Sequence, residues 1–155
     1  MPSELQRELK QAKPFKNLKH EANLSIQRTA AVLHHQLEGA MKPFGITATQ
    51  YNVLRILRGS EPDGLCRNEI RERLVRQVPD VTRLLDRLED ARLISRQRGG
   101  LDRRFVTTRI TRGGLQLLDE LEDRIDAVHD EQLGHLDERQ LATLVKLLAA
   151  VRKRA

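Results

Sequence analysis

Arginines are concentrated in the middle of this sequence, at spacings typical of groups that bind rather than react. Arg83 and Arg87 lie four residues apart in a run with helical periodicity, so both guanidinium groups are expected on one helix face. Arg103 and Arg104 follow in a loop between two segments of strand-like composition. The planar guanidinium donates paired hydrogen bonds to phosphate oxygens and to guanine edges. These residues therefore predict contact with a nucleic acid.

The charge along the chain is divided in the same way. From Leu65 to Arg112 there are 13 arginines, no lysine and 7 acidic residues, a net charge of +6. From Gly113 to Ala150 there are 3 basic and 9 acidic residues, a net charge of −6. This division predicts an anion-binding module joined to a part that need not touch the anion. The alternative is a solvated, charge-rich surface.

The elements that would position these arginines are a helix, a strand, a loop and a returning strand. Leucines recur at intervals of three or four after Val81, which predicts an amphipathic helix. Its polar side would carry Thr82, Arg83, Asp86 and Arg87. Alternation begins near Ile94, and residues 105–110 are rich in β-branched and aromatic side chains. Together these elements predict a winged helix, and so point to DNA.

Upstream signals complete a helix-turn-helix. Thr47 and Gln50 form a capping box that begins one helix, and residues 68–74 form a second, short helix. Pro79 fits the first turn of the next helix, and Asp80 suits the positive end of that helix. A short helix, a four-residue break and a second helix predict the helix-turn-helix motif.

Long helices are predicted on both sides of this module. The first, ended by Pro43, would have about 27 residues and a length of about 40 Å, more than a domain of 155 residues needs for its own core. Part of its face is therefore expected to meet another subunit. Two further helices begin at the caps Thr111 and Asp137. The predicted division is a flexible arm over 1–14 and one domain over 15–155, with long helices over 15–43 and 112–155 and a winged helix over 46–111.

Several motifs, in this order, resemble the MarR family of bacterial transcription regulators. Thr82 to Glu89 is similar to the family's TRLxDRLE run, and Asp102 to Arg104 is similar to its D-R-R wing. Thr111 to Gly114 matches its T-x-x-G motif, and Phe44 to Leu54 is similar to its LTxxQFxVL segment. The resemblance covers about Leu18 to Val151. It implies a mainly α fold with a small β-wing, a winged helix-turn-helix flanked by long dimerisation helices.

The resemblance also implies a function. We expect a homodimer that binds a pseudo-palindromic operator in double-stranded DNA, with one helix of each subunit in the major groove and one wing in the minor groove. A repressor relieved by a small, anionic or aromatic effector is the leading interpretation. No residue excludes an activator or a ligand-independent regulator.

Site residues follow from these expectations. The expected DNA-contacting residues are Arg76, Asp80, Thr82, Arg83, Arg87, Arg98, Arg103 and Arg104. Arg96 is also expected to contact phosphate. The resemblance implies that Asp102 holds the wing and that one neighbouring arginine enters the minor groove, and which of the two is open. Arg87 could instead pair with a neighbouring acid: Asp86, Glu89 or Asp90.

Other positions carry further hypotheses. The family resemblance implies an effector pocket between the dimerisation helices and the DNA-binding lobe, for which His34, Met41, Tyr51 and Arg55 are the candidates. Cys66 lies where a short helix begins, so it is either a redox sensor or a small residue of the cap region. Arg92 stands where the family has glycine, so the turn after the helix is expected to differ. The entrance over Val78 to Asp80 is also unusual and could alter the helix angle.

The sequence also argues against several classes of protein. It lacks a Gly-rich phosphate loop, a nucleophile elbow and an H-E-x-x-H motif, so no enzyme is expected. The histidines lack metal-ligand spacing, and neither a metal nor another cofactor is expected. No membrane segment or signal pattern is present, and a single cysteine suits the cytoplasm. A winged-helix adaptor that binds protein instead of DNA is the remaining alternative.

Overall fold

Helices make up most of the computed structural model, which describes residues 1–99 and 105–155. Two strands, β1 (Ile94–Arg98) and β2 (Val106–Ile110), pair antiparallel with Ile94 opposite Ile110. The helices are α1 (Glu4–Glu8), α2 (Leu18–Met41), α3 (Ala48–Arg58), α4 (Arg67–Arg73), α5 (Val81–Asp90), α6 (Arg112–Leu133) and α7 (Glu138–Arg152). The prediction of a mainly α fold with a small β-wing is confirmed.

One apolar core joins the helix-turn-helix to the wing and to α6. Leu54 of α3, Ile70 of α4 and Leu88 of α5 are fully buried in it. Helix α6 adds Leu118, Leu121 and Ile125. Residues 112–155 were assigned to dimerisation helices, but residues 118–125 of α6 also form part of the core that supports the winged helix.

A third short segment anchors the wing sheet. The Leu65 N–H donates to the Thr108 carbonyl at 3.0 Å, and the Thr108 N–H donates to the Leu65 carbonyl at 2.7 Å. Gly64 precedes this bridge at φ 74°, and a Cβ there would lie 2.6 Å from the Thr108 carbonyl oxygen. Glycine is therefore required where the chain meets β2. A single bridging residue has no periodicity, so this bridge could not be predicted from the sequence.

The turn from α5 to β1 has the left-handed geometry typical of glycine, although Arg92 occupies the position. Arg92 adopts a left-handed conformation with φ 61°. Its N–H donates to the Glu89 carbonyl at 2.8 Å, and the Leu93 N–H donates to the Leu88 carbonyl at 3.0 Å. This is a Schellman ending, which satisfies the last carbonyls of α5. The expectation of an altered turn was wrong, because these bonds hold Arg92 in the conformation that glycine prefers.

The amino-terminal region also differs from its prediction. Residues 1–14 were expected to form a flexible arm, but they contain α1, which Ser3 caps by accepting from the Gln6 N–H at 3.3 Å. Leu5 of α1 is buried. Helix α2 has 24 residues, slightly fewer than predicted, and is therefore about 36 Å long. No helix in the described part of the chain is long and apolar enough to cross a membrane.

Candidate nucleic-acid interface

Helix α5 presents a polar face to solvent because its apolar residues are turned into the core. Val81, Leu85 and Leu88 are buried. The exposed residues on the other side include Thr82, Arg83, Asp86 and Arg87. Within the described residues, neither Arg83 nor Arg87 has a carboxylate at ion-pairing distance. The alternative in which Arg87 pairs with a neighbouring acid is therefore not seen, and both guanidinium groups face solvent one helical turn apart.

Asp80 fixes the start of this helix. Its Oδ1 accepts a hydrogen bond from the Arg83 N–H at 2.9 Å, as an N-cap does. Pro79 precedes the cap, so its predicted place in the first turn of the helix was wrong. A proline before the cap still restricts the chain at the entrance to α5. The side chain of Asp80 is thereby engaged with the backbone.

Helix α4 supplies two arginines that the sequence analysis did not single out. Arg67 donates from Nη1 to the Thr82 Oγ1 at 3.0 Å, which ties α4 to the start of α5. Arg67 and Arg71 line a concavity of about 450 Å³ together with residues 77–82. Their spacing of four residues in a short helix was the available signal. These arginines extend the exposed basic surface from α5 onto α4.

The remaining predicted contacts lie at the edges of this surface. Arg76 is exposed in the connection between α4 and α5, and Arg98 is exposed at the end of β1. Asp102, Arg103 and Arg104 lie outside the described residues. The base of the wing is closed by the Gly99 N–H, which donates to the Phe105 carbonyl at 2.8 Å.

Arg96 has a different environment from the one expected of a phosphate contact. Its Nη2 lies 2.6 Å from the Asp86 Oδ1 and 3.0 Å from the Glu89 Oε1, both on α5. The Arg96 backbone N–H donates to the Glu89 Oε2 at 2.9 Å. The guanidinium hydrogen bond lowers the pKa of Glu89, and the same bond raises the pKa of Arg96. The expected phosphate-contacting arginine instead joins the wing strand to α5.

Comparison with known proteins identifies the fold family. Residues 44–104 match a family model described as MarR family. A MarR transcription factor from Planctomyces limnophilus is 39% identical, with 88% of this chain and 98% of that chain covered and a TM-score of 0.69. The chain belongs to the MarR family. It is a transcription regulator with a DNA-binding winged helix, as the motifs predicted.

Other MarR structures show the same fold. A mutant MarR from E. coli, complexed with operator DNA, is 26% identical, with 88% of this chain and 99% of that chain covered and a TM-score of 0.76. BpsR from Bordetella bronchiseptica, whose DNA binding is regulated by 6-hydroxynicotinic acid, is 18% identical, with 90% and 98% covered and a TM-score of 0.77. The latter likeness concerns the fold alone.

The structure does not bring the four suggested effector residues into one pocket. Met41 is fully buried in the core, so it cannot line an open site, and that assignment was wrong. The His34 Nε2 lies 3.6 Å from the Glu38 Oε1, and both residues are on α2. Tyr51 and Arg55 are neighbours on α3, with the Arg55 Nη1 donating to the Tyr51 hydroxyl at 3.4 Å. They line a cavity of only about 40 Å³ against α6.

A larger groove lies between α4, α5 and the base of the wing. Its volume is about 560 Å³, within the range of small-molecule sites. Arg67 and Arg96 contribute cationic groups, and Leu85 and Phe105 contribute apolar surface. This groove could not be predicted from the sequence because its walls come from segments that are distant in the chain.

Cys66 also lines this groove, at the start of α4. It is partly exposed, and its backbone N–H donates to the Glu69 Oε2 at 2.8 Å. That bond lowers the pKa of Glu69. Cys66 therefore occupies the N-cap position of α4, where both the redox and the cap-region interpretation placed it. Among the described residues, no cluster of three potential metal ligands occurs.

Proposed function

We propose that this MarR-family regulator is a homodimeric repressor that binds a pseudo-palindromic operator and is released by a small ligand. The exposed pair Arg83 and Arg87 on α5 carries the proposal. Both lie on the face opposite the buried leucines, and no described carboxylate neutralises them. In this position they would donate to guanine O6 and N7 or to phosphates in a major groove.

Contacts to the DNA backbone would surround this pair. Arg67, Arg71 and Arg76 lie on one side, and Arg98 lies toward the wing. Asp80 caps α5, and Thr82 would lie close to a phosphate. We assign minor-groove contact to Arg103 or Arg104 and support of the wing to Asp102, on the family resemblance alone. Several phosphate contacts would make affinity fall steeply with added salt.

The proposed dimer is supported by the exposed apolar side chains of α7. Helix α7 contributes no buried residue, although it carries a series of apolar side chains. Val145 is 65% exposed, Leu147 is 61% exposed and Val151 is 53% exposed. Leu18 and Val32 of α2 are also exposed. A monomer would leave this apolar surface in water, whereas a second copy would bury it.

The groove beside the wing is our proposed effector site. The Arg67 guanidinium, which has no described carboxylate partner, and the apolar wall of the groove suit a small aromatic acid. Since α4, α5 and the base of the wing all line the groove, an occupant would contact both elements that we expect to bind DNA. A ligand that prefers the altered arrangement would shift the protein toward release.

The first experiment is the selection of bound fragments from random and genomic DNA with purified protein. An enriched inverted repeat, bound with a strong salt dependence, would support the repressor proposal. Binding without sequence preference would contradict it and favour the protein-interaction adaptor. Transcription from a reporter promoter carrying the repeat then separates repression from activation.

The effector is tested on the selected complex. Benzoate, salicylate and nicotinate serve as probes, and release of labelled DNA is measured against Phe105→Ala, which removes the apolar wall. Release that requires Phe105 would support the groove. Equal release from both proteins, or none from either, would contradict this site.

A further inference from the structure

Among the described residues, one charged cluster joins helix α5 to strand β1 of the wing. We propose that Glu89 and Arg96 are positioning residues that set the wing relative to α5, so that both engage one operator half-site. This inference rests on the proposed function, because it assumes that α5 and the wing bind the same DNA.

Glu89 uses both carboxylate oxygens on the same strand residue. Its Oε1 accepts from the Arg96 guanidinium at 3.0 Å, and its Oε2 accepts from the Arg96 backbone N–H at 2.9 Å. The second bond fixes the strand backbone itself, which a contact between two flexible side chains would not do. Asp86, one turn earlier on α5, accepts from the same Nη2 at 2.6 Å.

The partner strand explains why this backbone group needs an acceptor. Arg96 lies opposite Thr108, whose own N–H and carbonyl are engaged with Leu65 on the far side of β2. The Arg96 N–H therefore points away from β2. Strand β1 pairs only with β2 in the described sheet, so it is an edge strand, and Glu89 accepts from this outward N–H. An acceptor on α5 at this point resists sliding of β1 along the helix.

The two carboxylates of the cluster would repel DNA phosphates rather than attract them. Asp86 and Glu89 are anionic, yet they lie on the helix that we expect in the major groove. Simple electrostatics predicts that removing either acid would strengthen DNA binding. A positioning role predicts the opposite for Glu89, because its loss frees the base of the wing.

The experiment compares Glu89→Ala with Asp90→Ala, which removes the same charge from the same helix. Asp90 is exposed and has no described ion pair, so it is the matched control. On the operator selected by the wild type, we expect Glu89→Ala to bind about tenfold more weakly and Asp90→Ala to bind at least as well as wild type. Arg96→Lys keeps the positive charge but lacks the forked guanidinium, and we expect it to bind the operator several-fold more weakly than wild type.

Footprinting separates positioning from general destabilisation. Glu89→Ala should lose hydroxyl-radical protection in the minor groove beside each half-site while keeping major-groove protection. Parallel loss in both grooves, or wild-type affinity of Glu89→Ala, would overturn the inference. If circular dichroism shows that Glu89→Ala is not folded, the same footprinting pattern is tested on Arg96→Lys instead. Failure of the wild type to select any operator would overturn the proposed function as well.

Discussion

At the scale of single residues, the exposed arginines of α5 allow the most direct test of DNA recognition. Arg83→Ala and Arg87→Ala should each weaken operator binding by about 1–3 kcal/mol and relax the preference at one base position. The reason is that each guanidinium faces solvent with no described carboxylate to hold it. Fluorescence anisotropy on the selected operator measures the effect.

The matched control for these variants is Arg28→Ala, which removes an exposed arginine from α2. It should leave operator affinity nearly unchanged, because α2 does not belong to the basic surface. Equal losses in all three variants would show that net charge alone controls binding. Wild-type affinity of both α5 variants would remove Arg83 and Arg87 from the interface.

Arg92 carries a conformational cost that glycine would relieve. Arg92→Gly should stabilise the protein by about 1 kcal/mol, since a left-handed conformation is strained for residues with a Cβ. Ala91 precedes it at φ −77°, so Ala91→Gly should instead destabilise the protein by about 0.5–1 kcal/mol. Urea unfolding monitored by circular dichroism measures both. Destabilisation by Arg92→Gly would show that the arginine side chain stabilises the folded protein by more than the backbone strain costs.

Glu89 should make stability depend on acid pH. Because its pKa is lowered in the folded protein, its contribution is present above the unfolded pKa and is lost as pH falls through the folded value. The loss is expected in the acid range below the unfolded pKa of Glu89, and it should be small because the side chain is 39% exposed. Thermal melts of wild type and Glu89→Gln across this range should converge at the acid end. Parallel melting curves at every pH would contradict a lowered pKa.

At the scale of elements, sequence patterns were most informative where one residue type recurs with a fixed period. The leucines of α5 and the cap residues Thr47 and Asp137 predicted real helices because their physics is local. The Leu65 bridge and the groove beside the wing were missed because they depend on segments far apart in sequence. Met41 was misassigned because a family resemblance does not show which residues of this chain are buried in the core.

Gly114 shows how closely α6 approaches the α5–β1 turn. A Cβ at this position would overlap the Leu93 carbonyl oxygen and lie 2.6 Å from the Ile110 Cγ1. Gly114→Ala should therefore destabilise the protein by about 3 kcal/mol, since backbone must move. Gly113→Ala is the control, because its Cβ would lie 3.4 Å from the Arg92 carbonyl oxygen. Chemical denaturation should show little change for it, and similar losses in both variants would contradict the close approach.

At the scale of the whole molecule, the distribution of charge separates two surfaces. The basic surface lies on α4, α5 and the base of the wing, whereas the many acids of α6 face solvent elsewhere. On α7, Val145, Leu147 and Val151 expose more than half of their surface, although Leu141 and Leu148 are partly buried. A dimer formed through α7 would leave the basic surface of each copy available. Dimer stability and DNA affinity should therefore be thermodynamically linked.

This linkage gives a test that does not depend on any DNA-contacting residue. Leu147→Glu places a charge on the exposed apolar side of α7, and we expect it to shift the protein from dimer to monomer. Ala142→Glu introduces the same group at an exposed position on another face of α7 and should leave the dimer intact. Light scattering after size-exclusion chromatography, over a range of concentrations, measures the equilibrium.

Operator binding by the two variants then connects assembly to function. A monomer contacts only one half-site at a time, so Leu147→Glu should bind the full inverted repeat much more weakly than Ala142→Glu. On a single half-site, where dimerisation gives no advantage, the two variants should bind similarly. If Leu147→Glu remained dimeric and bound the repeat normally, α7 would not form the interface. If it were monomeric but retained full affinity, the regulator would not require two subunits to bind its operator.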